Sequence, residues 1–281
     1  MWTSDSRRTR GHSPRVLNVG TAAVPSVLIA SVGPVGPFVD CHSHVIPSGD
    51  DGAGLVQEGL ALCRSAAEHG TVVLFGTPHV WPYLTLSPER EIEIREVYER
   101  MRPHAGLELR LGFELTPTRA LLKEDPHRYV LEGTDRVLME VPFSGPADIL
   151  FALAEHVEAA GLKPVIAHPE RTEAVLEDPF VAEELAARGW TLQVNATSLL
   201  GRHGPEPEEL GWSFLERSIA SLVASDGHRA TRPAQLDEAY ALAQQRLGDR
   251  ASQLFDGTAL GLDVARDVDV RGAVGSARRS V

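Results

Sequence analysis

FVDCHSH, residues 38–44, is the stretch on which the predicted fold and site depend, and GDDGA follows it at residues 49–53. The apolar start predicts a short buried strand that ends in two histidines. Because side chains two residues apart in an extended segment share a face, His42 and His44 can point into one site, and glycine turns can bring Asp51 to it. Imidazole and carboxylate together suit zinc, manganese or iron(II). A solvated histidine-rich turn is the alternative for the two histidines alone.

The composition indicates one large domain. The 281 residues are 43% hydrophobic and 23% charged, which is enough for a sizeable core. The formal net charge of -12 argues against nucleic acid as the main partner, since no basic stripe is available to release counterions. No apolar run reaches the length of a membrane span, so we expect no stable membrane insertion. Two cysteines, Cys41 and Cys63, are too few for a disulfide framework and predict a reducing, cytoplasmic location.

Both ends of the chain differ from its centre. Residues 1–36 begin with several arginines and continue without clear periodicity, and we interpret them as a disordered N-terminal extension. A secretory signal peptide is the alternative for the apolar part of this extension. Residues 263–281 are interpreted as a C-terminal tail. The predicted domain therefore spans residues 37–262.

Between these ends, short apolar runs alternate with helical patterns. The first of seven predicted strands begins at Phe38, and the others cover residues 71–76, 107–113, 136–141, 164–167, 191–196 and 221–225. Helices are predicted between the first two strands, from Pro88 with Ser87 as its N-cap, and over residues 146–160, 179–188, 209–219 and 233–247. Seven β-α repeats predict a closed or nearly closed parallel barrel.

Residues of the types that bind metals follow the predicted strands where each strand ends. They are His42, His44, Asp51, His79, Glu114, Glu140, His168, Asp226 and His228. The carboxyl ends of the strands share one face of a parallel barrel, so these side chains are expected to converge. Any single one has an ordinary structural explanation, such as a loop hydrogen bond, but their joint placement favours a metal centre. The remaining histidines are predicted to be surface residues: His12, His69, His104, His127, His156 and His203.

Seven short motifs give the chain a resemblance to a known superfamily. They are HSH at 42–44, DDGA at 50–53, TPH at 77–79, GFEL at 112–115, AHPER at 167–171, QVN at 193–195 and SDGH at 225–228. These motifs resemble the PHP (polymerase and histidinol phosphatase) superfamily. DDGA and AHPER resemble, more narrowly, the manganese-dependent tyrosine-protein phosphatases of bacterial capsule and exopolysaccharide operons. The departures from the family pattern are the N-terminal extension and Trp81-Pro82-Tyr83, which could alter substrate preference.

The resemblance implies a distorted (β/α)7 TIM-like barrel, the PHP fold, that holds two to three divalent metal ions. Manganese is the expected metal, with iron(II), cobalt or zinc as alternatives. The nine residues of metal-binding type would be its ligands, and Glu114 would bridge the ions. Arg171 and Arg232 match the family's basic residues near bound phosphate, and their planar forks suit bidentate contact with a phosphoryl group. His228 is in addition a candidate proton donor.

The activity implied is hydrolysis of phosphotyrosine on proteins, with an autophosphorylating bacterial tyrosine kinase of capsule synthesis as the expected partner. Metal ions would make water a nucleophile near neutral pH, so no protein nucleophile is required. In agreement, neither cysteine begins a Cys-x5-Arg loop. Histidinol-phosphate phosphatase, or another small-molecule phosphomonoesterase of the superfamily, is the alternative. A non-catalytic, metal-binding regulatory barrel is a second alternative, and the oligomeric state stays open.

Overall fold

A computed structural model describes residues 36–145 and 147–263 of the chain. The strands in these ranges are β1 (Phe38–Ser43), β2 (Thr71–Gly76), β3 (His79–Val80), β4 (Glu108–Leu111), β5 (Glu114–Leu115), β6 (Arg136–Glu140), β7 (Lys163–Ala167), β8 (Thr191–Asn195) and β9 (Leu222–Ala224). The helices are α1 (Val56–Glu68), α2 (Pro88–Met101), α3 (Asp148–Ala159), α4 (Glu173–Glu177), α5 (Phe180–Ala187), α6 (Ala196–Leu199), α7 (Pro205–Glu216) and α8 (Asp237–Leu247). The predicted N-terminal extension and C-terminal tail lie outside the described residues, apart from Gly36 and Asp263.

The described strands form two parallel sheets. One sheet has the order β1-β2-β4, and the other has the order β3-β5-β6-β7-β8-β9. Every pair of neighbouring strands is parallel. The predicted parallel α/β architecture is therefore confirmed. The hydrogen-bonded sheets do not make one continuous barrel, because β3 and β5, which follow β2 and β4 in the chain, pair in the second sheet and not in the first.

The breaks between β2 and β3 and between β4 and β5 fall at residues that interrupt a regular strand. Between β2 and β3, Pro78 has no N–H to donate to a neighbouring strand. Between β4 and β5, Gly112 lies so close to Leu131 that a Cβ would be 2.4 Å from the Leu131 Cδ2. As a result, His79 and Glu114 stand at the first positions of β3 and β5 rather than at the ends of longer strands.

The six predicted helices are present, with some differences in their first residues, and the described ranges hold two further short helices, α4 and α6, that were not predicted. Helix α2 begins as predicted, since Ser87 Oγ accepts a hydrogen bond from Arg90 N at 3.2 Å and Pro88 takes the first helical position. Helix α7 begins at Pro205, before the predicted start, because this proline also suits a first helical position. Helix α8 begins at Asp237, after the predicted start at Pro233. No helix in the described ranges is long and apolar enough to span a membrane.

Buried apolar side chains form two clusters. The larger cluster contains residues of strands and of helices, for example Val194 of β8 and Leu215 of α7. The smaller cluster takes alternate residues from strands of both sheets: Val39, Cys41, Val73, Phe75, Leu138, Val165, Ala167, Leu222 and Ala224. Because residues two apart on a strand share a face, one face of these five strands packs on the smaller cluster.

Candidate metal centre

Most of the nine predicted metal ligands lie at or just after the ends of strands, as the sequence predicts, but His79 and Glu114 begin short strands and Asp51 lies in the loop before α1. The nine are His42 on β1 and His44 after it, Asp51 before α1, His79 at the start of β3, Glu114 at the start of β5, Glu140 at the end of β6, His168 after β7, and Asp226 and His228 after β9. All of them are buried except Asp51. Charged groups are rarely buried unless they are paired or bind a metal, so this concentration marks a functional site.

Glu114 is at the centre of the cluster. It is fully buried, and its Oε2 lies 3.1 Å from His42 Nε2, 3.3 Å from His44 Nε2 and 2.9 Å from His79 Nδ1. Its Oε1 lies 2.9 Å from His168 Nε2. Burial raises the pKa of Glu114, but the neighbouring His42 and His79 outweigh burial and hold that pKa well below its usual range. One ionised carboxylate therefore touches four imidazoles, two from the end of β1, one from the start of β3 and one from the segment after β7.

The ligand atoms form three overlapping groups, and within each group they all lie within 4.8 Å of one another. The groups are His42 with His44 and Glu114; His44 with Asp51, His79 and His228; and Glu114 with Glu140 and His168. His44 and Glu114 each belong to two groups, so the three groups are one continuous cluster. Asp226 belongs to none of them, although its Oδ1 lies 3.5 Å from His42 Nε2 and 3.4 Å from His44 Nε2.

Unused polar atoms in this cluster indicate that it suits metal ions. Glu114 Oε2, Glu140 Oε2, His44 Nδ1 and His168 Nδ1 are buried and make no hydrogen bond. A buried polar atom without a partner is costly, and a bound cation would satisfy the carboxylate oxygens. The donors are imidazole nitrogens and carboxylate oxygens without a thiolate, a set that suits Mn²⁺, Fe²⁺ or Zn²⁺. The residues present therefore fit a centre of divalent ions.

Asp226 connects the cluster to the two predicted arginines. Its Oδ2 accepts a hydrogen bond from Arg171 Nη1 at 2.8 Å, and Arg232 Nη2 lies 3.5 Å from its Oδ1. Arg232 also contacts the His228 ring. Both arginines remain partly exposed, by 16% for the Arg171 side chain and 27% for that of Arg232. They are held at the cluster and still reach solvent.

The backbone is held in an unusual conformation at two of the predicted ligands. His168 has a φ of 34° and Asp226 has a φ of 52°, both in the left-handed region. Among the described non-glycine residues, Ser218 alone shares this property. Such conformations are disfavoured for side-chain-bearing residues and concentrate at functional sites. Each turns the chain sharply just after a strand, which places the side chain at the cluster.

Two of the predicted ligands have pKa values that are shifted in opposite directions. Burial, and then the charge of Glu114, raises the pKa of Glu140 to about 7. Burial, and then the neighbouring His44, lowers the pKa of His228 to about 4. The His228 ring is therefore neutral near pH 7, the form that binds metals.

Gln193 and Asn195 belong to the QVN motif, for which the sequence predicted no role. Gln193 Oε1 lies 3.0 Å from His42 Nδ1, and Gln193 Nε2 donates to Asn195 Oδ1 at 2.8 Å. Asn195 Nδ2 in turn donates to Asp226 Oδ2 at 2.8 Å. The two amides thus connect His42 with Asp226 and orient both, as supporting residues around metal ligands do. The available signal was their spacing, which repeats that of His42 and His44 at the end of a buried strand.

Asp50, which precedes the predicted ligand Asp51, organises the loop before α1. Its Oδ1 accepts a hydrogen bond from Gly52 N at 3.1 Å, and its Oδ2 accepts one from His79 N at 3.0 Å. The same Oδ2 lies 3.6 Å from His44 Nδ1. Asp50 therefore fixes the positions of two predicted ligands. The aspartate pair in the sequence gave no indication of which member would do this.

The prediction that the other histidines lie on the surface holds for His104 and His127, whereas His69, His156 and His203 are half-buried. The Nε2 of His203 lies 2.8 Å from Thr197 Oγ1. Burial, and then the charges of Arg171 and Arg232, lowers the pKa of His203 to about 4. His12 lies outside the described residues. The loop after α6 folds back toward the two arginines, which local sequence does not predict.

The sequence is similar to known proteins along most of its length. A family model for capsular polysaccharide synthesis, CpsB/CapC, matches residues 38–258. The tyrosine-protein phosphatase YwqE of Bacillus subtilis is 28% identical over 224 residues, which cover 75% of this chain and 85% of YwqE. The tyrosine-protein phosphatase CpsB of Streptococcus agalactiae is 27% identical over 233 residues, 78% of this chain and 95% of CpsB.

A solved structure from work on YwqE of Bacillus subtilis and CpsB of Streptococcus pneumoniae, described as unique metal-dependent tyrosine phosphatases, has a similar fold. It superposes with a TM-score of 0.69 at 25% sequence identity, covering 77% of this chain and 91% of the solved one. The family model spans most of the described residues, including every predicted ligand. The chain belongs to the CpsB/CapC family of capsular polysaccharide synthesis.

Proposed function

We propose that this protein is a metal-dependent phosphatase that hydrolyses phosphotyrosine on proteins. The observation that carries the proposal is the meeting of His42, His44, His79 and His168 around the buried Glu114, with two partly exposed arginines beside it. Relatives that match along most of their length are named tyrosine-protein phosphatases. By its family, the protein would act in capsular or exopolysaccharide synthesis.

The metal ligands in this proposal are the nine predicted residues, in the three groups described above. Mn²⁺ is the proposed ion, with two to three ions per chain, because imidazole and carboxylate donors without thiolate favour labile divalent ions. Divalent ions bound together polarise a phosphoryl oxygen and lower the pKa of a bound water. Gln193, Asn195 and Asp50 would hold the ligands in place.

Side chains around the metal centre would bind the phosphate and provide a proton for the leaving group. Arg171 and Arg232 would bind the phosphoryl oxygens through their forked N–H groups and offset the charge that develops there. His228 is proposed both as a metal ligand and as the candidate proton donor, and its Nε2 lies 3.3 Å from Asp51 Oδ1. A tyrosine leaving group, with a pKa of about 10, needs less protonation than a serine alkoxide.

The finer architecture belongs to the same proposal: the two sheets would be parts of one interrupted (β/α)7 barrel. Contacts between β1 and the segment after β9 support it, since His44 N donates to Gly227 O at 2.7 Å and Asp226 N donates to His42 O at 2.9 Å. Across the divided strands, Gly112 N donates to Gly76 O at 2.9 Å. The small apolar cluster shared by both sheets would then be the barrel interior.

The proposed partner is a phosphotyrosine protein, in particular an autophosphorylating tyrosine kinase of capsule synthesis, and the proposed location is the cytoplasm. The experiment that tests the substrate compares phosphate release from a phosphotyrosine peptide and from histidinol phosphate in the presence of Mn²⁺. We expect a much higher kcat/KM for the peptide. Preference for histidinol phosphate would instead support a small-molecule phosphatase, and failure of the metal-loaded protein to hydrolyse either would support a regulatory barrel.

Replacement of either cysteine is expected to leave catalysis intact. Burial raises the pKa of the Cys63 thiol to about 12, and burial together with Asp40 holds that of Cys41 well above its usual range, so neither forms a reactive thiolate. Both residues are buried and unpaired. Steady-state kinetics of Cys41→Ala and Cys63→Ala should therefore give kcat values close to that of the parent, with some loss of thermal stability. Loss of several orders of magnitude in either variant would indicate a cysteine nucleophile.

A further inference from the structure

The loop after His79 is a tight, fixed turn at the edge of the metal centre. Trp81 N donates to Leu84 O at 3.2 Å, and Leu84 N donates to Trp81 O at 3.1 Å. Arg90 secures the turn from α2, because its Nη1 donates to Leu84 O at 3.1 Å and its Nη2 donates to His79 O at 3.0 Å. Pro82 and Tyr83 form the exposed tip. The side chains of this loop therefore keep a defined position relative to His79.

The aromatic rings of this loop lead from solvent to the metal centre. The Trp81 ring stacks on the His79 ring, with centroids 4.2 Å apart and an interplanar angle of 25°. The Tyr83 ring lies 5.3 Å from the Trp81 ring, and Tyr83 is 81% exposed. His79 Nδ1 is 2.9 Å from Glu114 Oε2. His79 therefore lies between the Trp81 ring and the Glu114 carboxylate and contacts both.

Phe143 approaches the same carboxylate from another side. Its ring stacks on the His168 ring at a centroid distance of 5.4 Å and an angle of 23°. The Arg171 guanidinium carbon lies 5.2 Å from the Phe143 ring centroid, yet Phe143 is still 48% exposed. His168 Nε2 is 2.9 Å from Glu114 Oε1. Each oxygen of Glu114 is therefore contacted by a histidine on which a partly exposed aromatic ring stacks. Trp81 stacks on His79, and Phe143 stacks on His168.

We propose that Trp81, Tyr83 and Phe143, here named the aromatic rim, bind the phenyl ring of phosphotyrosine while Arg171 and Arg232 bind its phosphate. The inference rests on the proposed function and adds to it the basis of selectivity for an aromatic phosphomonoester. Exposed aromatic side chains beside a site indicate a surface that a ligand covers. Tyr83 and Phe143 are two of the six exposed large hydrophobic residues in the described ranges, and both lie beside the centre.

The chemistry of the substrate explains why a rim of this kind would select it. Phosphotyrosine carries its phosphate at the far end of a flat ring, so a phosphate at the arginines leaves the ring at the level of the rim. Aromatic pairs prefer offset-stacked or edge-to-face contacts, and Trp81 and Phe143 can offer both. Phosphoserine has no ring and a shorter side chain, so it would reach the same phosphate site without touching the rim.

The test compares two peptides of identical sequence that carry phosphotyrosine or phosphoserine, assayed in saturating Mn²⁺. Selectivity is the kcat/KM for phosphotyrosine divided by the kcat/KM for phosphoserine. We expect Trp81→Ala to lower this ratio roughly tenfold and Phe143→Ala to lower it by a smaller factor. Trp81→Phe should keep most of the selectivity. Calorimetry should show the same order of losses in the affinity of a non-hydrolysable phosphonomethyl-phenylalanine peptide. Metal content is measured on each variant, and any partial metal loss affects both substrates and leaves the ratio unchanged.

Phe180→Ala is the matched control, because Phe180 is 71% exposed on α5, outside the residues that build the site. Its selectivity should equal that of the parent. The rim is wrong if Trp81→Ala and Phe143→Ala both keep the parental ratio and the parental affinity for the phosphonate peptide. If Trp81→Ala does not fold, Phe143→Ala decides alone. A parent protein that hydrolyses neither peptide with metal bound would overturn the proposed function itself, a result distinct from loss of selectivity.

Discussion

Replacing Glu114 by alanine is expected to lower metal content and kcat together, kcat by roughly a thousandfold or more. The two oxygens of this carboxylate contact His42, His44, His79 and His168 at 2.9 to 3.3 Å. Without it, the four imidazoles would lose the one carboxylate that contacts all of them. Metal analysis of the purified variant and phosphotyrosine-peptide kinetics measure the two effects independently.

Glu91→Ala is the control for this prediction. Glu91 is a partly buried glutamate on α2, and its carboxylate forms ion pairs with Arg95 and Arg128 at 2.8 Å each. It should keep full metal content and a parental kcat, at some cost in stability. A Glu114→Ala protein that retained a full complement of metal would contradict the central position given to this carboxylate, even if its activity were lost.

Replacing Arg171 by alanine is expected to reduce kcat/KM by roughly 10- to 100-fold while the metal content stays at the parental level. In the proposed function the lost contact would be a charge-assisted hydrogen bond to phosphate, which contributes about 1.5 to 3 kcal/mol. Although Arg171 also donates to Asp226 Oδ2, Asn195 Nδ2 donates to the same oxygen at 2.8 Å and would keep Asp226 oriented. Kinetics and metal stoichiometry on one preparation test both parts.

Two further variants sharpen the Arg171 experiment. Arg171→Lys keeps the charge but loses the fork, so it should recover only part of the lost activity. Arg217→Ala removes an exposed arginine that pairs with Glu183 at 2.7 Å, and it should behave like the parent. An Arg171→Ala variant without metal would mean that this guanidinium holds the ligands in place and does not act on phosphate.

Local pattern predicted most strands because they are short, apolar and bounded by turn residues. Strand β2 has the predicted bounds, and β6, β7 and β8 differ from prediction by a residue at one end. The short strands β3 and β5 were not predicted, and β4 ends at Leu111, although the alternation of Leu109, Leu111 and Phe113 continues through Gly112. The interruption there depends on Leu131, which is close in space and distant in sequence.

For the site, residue type and position at strand ends predicted which side chains would meet. The pattern could not predict how they are held. Arg171 and Asp226 are joined by a hydrogen bond across 55 positions of sequence, and His42 and Gln193 across 151. Contacts of this kind depend on the relative placement of strands. His203 was missed for the same reason, because only the folded loop brings it near Arg171 and Arg232.

The most direct test of the account measures metal content and phosphotyrosine hydrolysis on one sample of the parent protein. The sample is analysed as purified, after chelation with prolonged dialysis, and after Mn²⁺ is added back. We predict that phosphate release disappears with the metal and returns in proportion to Mn²⁺ uptake, up to about two to three ions per chain. Full activity in the metal-depleted sample, or a fully metal-loaded sample that leaves phosphotyrosine intact, would contradict the account.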